Sequence, residues 1–473
     1  VSLTAFSFVI LPLCLFWAGS PAMLLRLMLM ASVFEAAAVC VVGGLGVQPG
    51  LPPALAFIAF VSLQVLLGVR YPGTRQALNM VLPFVLVTIW AVASSYVMPR
   101  FLSGKVMVWP QKQLPPFSQI PLEPSSSNMN QDCYLIIDCM FTVAAALFLT
   151  KSTLRLTTFF NTYLITGFVV AGVSVWEFAN RVARIPYPED ILYSNPSWAV
   201  LATQTIGRVP RINGPFTEPS ALAVYMFSIV CATGWIVLQG SATKMIRVLL
   251  IVGLLTMMMS TSTTGFAALG IVGALLFAMA LLSGSFKMFV QALKLVLPLV
   301  LFFALAAAVA GVAVPNFGRN VSEVIDATMN KQDSSSYNDR TSADVDSFAV
   351  AVTTGGLGVG WGSNRSSSLI PGLAAGLGLP GLLGLAWFAV SLARGVRRSK
   401  RLQPSAEQKM IINGCCGGAS GLVIAAALSA PTITSVTFYF LVALLIACIA
   451  RVELDAQADT AAMFMEADVE AVA

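Results

Sequence analysis

The sequence contains no histidine. That removes the commonest general base and the commonest metal ligand, so any chemistry must run on carboxylates, arginines, hydroxyls or phenols. Charge is scarce too: 10% of the 473 residues are Asp, Glu, Lys or Arg, against about a quarter in soluble proteins. An ordinary soluble chain is excluded. Period-two alternation is missing, which excludes a transmembrane β-barrel. No internal repeat is visible either, which counts against a secondary transporter. The eight cysteines lie almost entirely inside apolar runs, without metal or redox spacing, and read as small buried apolar residues.

What the chain has instead is apolar helix. Hydrophobic residues make up 57% of it, and the mean hydropathy is +0.84. Apolar runs of about 20 residues, each long enough to cross a bilayer core of about 30 Å, recur from residues 3–19 to residues 431–450. They predict an all-α polytopic membrane protein with about 12–13 spans, among them 27–43, 248–260, 265–282 and 295–313. The basic gaps fall on one side when the spans alternate: Arg26, Arg70 with Arg75, Lys151 with Arg155, Lys244 with Arg247, the run at 394–401, and Arg451. That side is expected to be cytoplasmic. No basic stretch precedes the first run, so a cleaved leader is not expected.

Three long loops fall on the opposite side, at 99–131, 179–217 and 314–370, and an acidic tail at 452–473 is expected to be frayed. In the first loop, Trp109 and Phe117 are expected to anchor at the headgroups. The second offers a short surface helix at 195–207, carrying Trp198. The third offers helices near 320–330 and 341–353, the latter with Val345, Phe348, Ala349 and Val352 on one apolar face.

Charges inside spans are costly, so Glu35, Asp138 and Glu177 need partners or an aqueous cavity; they read either as a relay or as carboxyls paired within the bundle. The densest chemistry is at 208–220, the segment RVPRINGPFTEPS. Arg208 and Arg211 precede a Gly-Pro turn. Glu218, Pro219 and Ser220 then open a span, with proline in the first helical turn. Two guanidinium groups beside a helix start make a ready site for a phosphate, although arginines there also snorkel to lipid headgroups. Asp339 and Arg340 precede the second late helix. The run at 355–362 is glycine-rich but has no following Lys-Ser/Thr, so it fits a close approach to a polymeric substrate better than a nucleotide loop. With histidine absent, the proton acceptors on this face are Glu218, Asp339 and Asp344, with Glu218 favoured for its place beside Arg211.

These features carry a resemblance. Arg211 with GPFTEPSALA opening a span, STSTTG at 260–265 between spans, and a late loop from Asp339 and Arg340 through GLGVGWGS at 356–363 into GLAAGLGLPGLLG resemble the O-antigen polymerase and ligase superfamily of Wzy-type enzymes. The resemblance spans roughly residues 200–395. It implies a GT-C-type glycosyltransferase bundle in a bacterial inner membrane, needing no metal or other cofactor. Such an enzyme acts on the periplasmic face on undecaprenyl-diphosphate-linked glycans as donor and acceptor, beside a chain-length regulator and a flippase, with no nucleic acid.

By position, the resemblance implies Arg211 and Arg340 as the catalytic arginines around the diphosphate; Glu218 joins them as the expected catalytic carboxylate from its place beside Arg211. Arg208, Asp339, Gly358, Gly360 and Trp361 are expected to contact diphosphate or glycan. The ligase branch carries a functional histidine in the late loop, and this chain has none, so the polymerase branch is the better match. A ligase using a carboxylate, and a lipid-linked oligosaccharide flippase or exporter, are the alternatives.

Overall fold

The computed structural model describes residues 1–111, 118–206, 209–282, 290, 293, 318–319, 322–323, 326, 335–430, 432–433 and 435–472. Over them the chain is mainly helical, with few and short strands. In order the main elements are α1 (Ser7–Phe16), α2 (Pro21–Ser32), α3 (Leu51–Leu66), α4 (Thr74–Phe101), α5 (Ser126–Phe148), α6 (Leu156–Ala183), α7 (Glu189–Leu192), α8 (Pro219–Leu238), α9 (Lys244–Met259), α10 (Thr263–Leu282), α11 (Ser335–Thr353), α12 (Leu369–Arg401), α13 (Ala406–Ser429) and α14 (Val436–Val472). Short antiparallel strands pair β2 (Cys40–Val42) with β1 (Ser2–Leu3) on one side and β3 (Leu45–Val47) on the other, β4 (Met107–Val108) with β5 (Ile120–Pro121), and β6 (Thr205–Ile206) with β7 (Val209–Pro210).

Seven of the described helices (α4, α5, α6, α8, α12, α13 and α14) are long and apolar enough to span a membrane, which makes the chain a multi-pass membrane protein. The sequence predicts more spans, and the difference begins at the N-terminus. The runs at 3–19 and 27–43 become α1 and α2, of 10 and 12 residues. At about 1.5 Å per residue these fall well short of the about 30 Å a crossing needs. Gly19, Ser20 and Pro21 separate the two helices, and Gly43 and Gly44, both at positive φ, turn the remaining chain into the β2–β3 hairpin. The expected span at 295–313 and most of the helix near 320–330 lie outside the described residues, as do Phe117 and Arg208. The runs at 248–260 and 265–282 form separate helices, α9 and α10, broken at Thr261, which sits at φ 46°, and neither is among the seven spans.

The bundle is built around α8, which packs closely on α13 and α9. Its middle is pinned by polar groups in an otherwise apolar core. Tyr163 of α6 and Ser228 of α8 share a hydrogen bond of 2.8 Å, and Ser228 Oγ donates to the Gly418 carbonyl of α13 at 3.1 Å. With little hydrophobic driving force between helices in lipid, such bonds and close packing set which helices touch. The acidic tail does not fray as expected: α14 continues to Val472. Its alanine, glutamate and methionine residues are strong helix formers. Arg451 ties its middle to the α5–α6 turn through the Leu149 carbonyl at 2.9 Å and the Leu154 carbonyl at 2.8 Å.

Two expectations for the loops are corrected. Trp109 is not a headgroup anchor: its indole N–H donates to Asp346 at 2.9 Å, and its backbone pairs with Asn364 Oδ1 at 3.0 Å and Arg365 N at 2.9 Å. The first long loop is thereby fastened to the third. Residues 195–204 are not helical either. The Asn195 side chain accepts from Ser197 N at 3.0 Å and its backbone N–H donates to Ala36 O at 3.1 Å, so its groups serve a turn and a tether instead of a helix.

Candidate functional site

The site is assembled from the segment 209–220, which runs from β7 into the start of α8. Glu218 is the N-cap residue of α8, with extended backbone (φ −149°, ψ 157°), and Pro219 occupies the first helical position. Pro219 has no N–H to satisfy there, so the local sequence itself dictates where the helix begins. Ser220 Oγ donates back to Glu218 Oε1. Upstream, the Arg211 backbone N–H donates to Gln204 O at 3.0 Å, and its Nη1 donates to Gln204 Oε1 at 2.9 Å. Among the described residues, Arg211 Nε is buried and has no hydrogen-bond partner.

The turn between them is fixed more tightly than its sequence suggests. Glu177, near the end of α6, is fully buried, and its Oε2 accepts from Asn213 N at 3.0 Å and Gly214 N at 2.7 Å. Its other oxygen lies 3.7 Å from Arg181 Nη2, which reaches Glu189 of α7 at 3.2 Å. The Gly214 carbonyl in turn accepts from Tyr193 at 3.1 Å and Tyr187 at 3.3 Å. Burial pushes both phenols above their ordinary value, so they remain protonated donors. Gly214 sits at φ 59°, and a Cβ there would lie 2.5 Å from Ser174 Oγ, so only glycine fits. Asn213 Nδ2 closes the turn on Thr217 O at 3.2 Å.

Other parts of the chain converge on this turn. Ile212 N donates to Met259 O at 3.4 Å, which brings the serine and threonine corner between α9 and α10 alongside Arg211. Ala36 N donates to Pro215 O at 3.1 Å, which brings Glu35 beside the turn. Glu35 is therefore not inside a span, as the run at 27–43 predicts, because α2 ends at Ser32. It stands close enough to Glu218 for the two charges to repel. Burial, with that repulsion added, raises the Glu35 carboxyl from 4.5 to about 7.

Arg340, on an exposed face of α11, lies close enough to Arg211 for their charges to interact. Burial lowers the Arg211 pKa; Glu218 opposes that shift and Arg340 adds to it. The structure thus groups Arg211, Arg340, Glu218 and Glu35 at one end of the bundle.

The remaining residues expected at the site have other surroundings. Asp339 is exposed on α11. Asp344 caps α12, accepting from Ser367 N at 2.7 Å, Ser368 N at 3.0 Å and Ser368 Oγ at 2.6 Å. Its oxygens are committed to the helix start. Gly358, Gly360 and Trp361 are buried in the wall between α4, α5 and α12. A Cβ on Gly360 would lie 2.5 Å from Ser94 O, so the close approach its glycine permits is to α4. Asn128 Nδ2 donates to Trp361 O at 2.7 Å, and Trp361 Nε1 to Gln131 O at 3.3 Å.

The helix expected at 341–353 forms within α11 and shows its apolar face outward. Val345, Phe348 and Val352 are 61%, 47% and 78% exposed, while Ala343, Ser347 and Val350 face the protein. The apolar stripe is turned away from the core.

Sequence reasoning missed the importance of two carboxylates, Glu35 and Glu177. The only signal for Glu177 was a charge near a span end, and hydropathy alone does not show which backbone it will meet.

The Glu35 carboxyl makes a direct prediction. Between pH 4.5 and about 7 the folded chain keeps a proton that the unfolded chain has released, so this group lowers stability as pH rises through that window. Glu35→Gln removes the effect. In detergent, the Tm of Glu35→Gln minus that of the unaltered protein should climb between pH 4.5 and 7 and then level off. A difference that does not vary with pH would contradict the assignment.

No family model matches the chain, and no curated protein does.

Proposed function

We propose that the chain is a metal-independent membrane glycosyltransferase with a GT-C-type bundle. It polymerises undecaprenyl-diphosphate-linked repeat units into O-antigen, capsule or exopolysaccharide on the periplasmic face of a bacterial inner membrane. The observation that supports it most is the pairing of Arg211 and Arg340. Two like charges brought together, one with a buried Nε unpartnered among the described residues, are a site for a polyanion. A diphosphate supplies matching charge and acceptor oxygens.

In this reading the acceptor hydroxyl oxygen bonds to the anomeric carbon of the donor glycan, and the bond from that carbon to the diphosphate oxygen breaks. The electron pair leaves with the lipid diphosphate, whose growing negative charge the two guanidinium groups stabilise. The hydroxyl proton passes to Glu218. Ser220 orients that carboxylate, and Glu35 beside it keeps the local negative charge low by holding a proton of its own up to about pH 7. Glu177 acts through the turn by fixing where Arg211 and Glu218 stand.

The deciding experiment supplies lipid-linked repeat units to the purified protein in proteoliposomes and resolves the products by size. A ladder of longer lipid-linked glycans is expected. Translocation of the repeat unit without elongation would overturn the proposal in favour of a flippase, and transfer of finished glycan to a lipid A core would favour a ligase.

A further inference from the structure

The end of the bundle opposite Arg211 carries a second basic site that the proposed reaction does not use. A cavity of about 410 Å³ opens between the start of α4, the last turns of α12 and the middle of α14. Three arginines, Arg75, Arg394 and Arg398, line it against one carboxylate, Glu453, leaving two positive charges in excess. Arg398 Nη1 pairs with Glu453 Oε1 at 3.1 Å. Glu453 is only 11% exposed, so that pair belongs to the wall.

Arg75 and Arg394 have no such partner. Among the described residues, neither makes a hydrogen bond or an ion pair, though the two come from different helices and line the same cavity. Arg75 stands in the first turn of α4, where the positive end of the helix dipole adds to its charge. Asn79 and Ser391 supply uncharged donors on the same wall. Fork-shaped cations from two sides, a helix start and neutral donors together match a compact oxyanion.

We infer that this cavity is a phosphate-binding site, taking either the headgroup phosphate of an anionic phospholipid or free inorganic phosphate. Its position at the basic end, where the sequence pattern puts the cytoplasmic boundary of the membrane, gives access to both. The site stands independently of the proposed glycosyltransferase activity.

The test uses the full chain purified in detergent. Native mass spectrometry follows retention of added phosphatidylglycerol against phosphatidylcholine, and thermal unfolding at constant ionic strength follows the response to inorganic phosphate. Removing Arg75 and Arg394 together, as R75A/R394A, should lower phosphatidylglycerol retention by at least about tenfold if the ligand is lipid. If the ligand is free phosphate, the unaltered protein should gain Tm with added phosphate and the double variant should not.

Should the double variant fail to fold, the single variant R394Q keeps a polar side chain, loses the charge and is read the same way. Arg397, exposed one residue before Arg398 and outside the cavity, provides the control. R397A should leave both readouts unchanged. The inference is overturned if R397A reduces retention as much as the cavity variants do, because diffuse surface charge would then account for it. It is overturned equally if the cavity variants match the unaltered protein in both measurements.

Discussion

Arg211→Ala and Arg340→Ala should each abolish detectable chain extension while leaving membrane insertion intact. Arg211 makes few structural contacts: among the described residues its one side-chain hydrogen bond runs from Nη1 to Gln204 Oε1, and its Nε is buried without a partner. Arg340 is exposed on α11 and lies near Arg211. Removing either should therefore cost the fold little. The loss falls on the reaction, where a fixed donor aimed at developing negative charge is worth about 10²–10³ in rate.

Arg211→Lys should recover only a small part, because an ammonium keeps the charge but not the planar fork that engages a diphosphate through two parallel bonds. Complementation in cells lacking the native copy, with polymer length read on gels and expression checked by immunoblot, distinguishes these outcomes. Polymer of normal length from both alanine variants would remove Arg211 and Arg340 from the site.

Glu177→Ala should have the largest effect on stability of any single change at this end of the bundle. It strands the buried N–H groups of Asn213 and Gly214, and each lost partner costs about 1–3 kcal/mol. It also frees Arg181, leaving Glu189 as its remaining ion-pair partner. Tm in detergent should fall, the 184–218 loop should become sensitive to protease, and activity should drop with it because Arg211 and Glu218 lie on either side of the released turn. Glu177→Gln keeps a carbonyl oxygen able to accept both N–H groups and should restore most of the stability. If alanine leaves both Tm and loop protection unchanged, the turn is held by the two tyrosines alone, and Glu177 is not its clamp.

Much of the membrane architecture was legible because hydropathy reports burial in lipid directly. The spans at α4, α5, α6, α8, α12, α13 and α14 all follow from their apolar runs. The start of α8 was legible at single-residue resolution, since Glu218, Pro219 and Ser220 carry their own helix-start chemistry. What hydropathy does not report is length after a break. The runs at 3–19 and 27–43 are apolar enough to span, yet a proline and paired glycines divide them into short helices and a hairpin.

Period-3.6 patterning on α11 was read correctly as a helix, but the pattern does not say which way its apolar face points, because in a membrane protein an apolar stripe can face lipid as readily as core. At the site, Arg211 and Glu218 announced themselves by their spacing within one segment, while Arg340 stood in the late loop. Glu177 and Glu35 could not, because their partners are backbone groups and a carboxylate 36 and 183 residues further along the chain.

The end of the bundle where the first and third long loops meet joins parts of the chain made far apart in time. Trp109 is held by Asn364, 255 residues later, Asn128 by Trp361, 233 residues later, and Trp90 donates to Leu377 O at 2.8 Å across 287 residues. While the ribosome is still making the middle of the protein, α4, α5 and the first outer loop must wait in the membrane without those partners. They are exposed for as long as the later helices take to emerge. The assembly of this face therefore depends on the final third of the chain, and ribosomes that stop before residue 361 would release products whose first loop has nothing to close against.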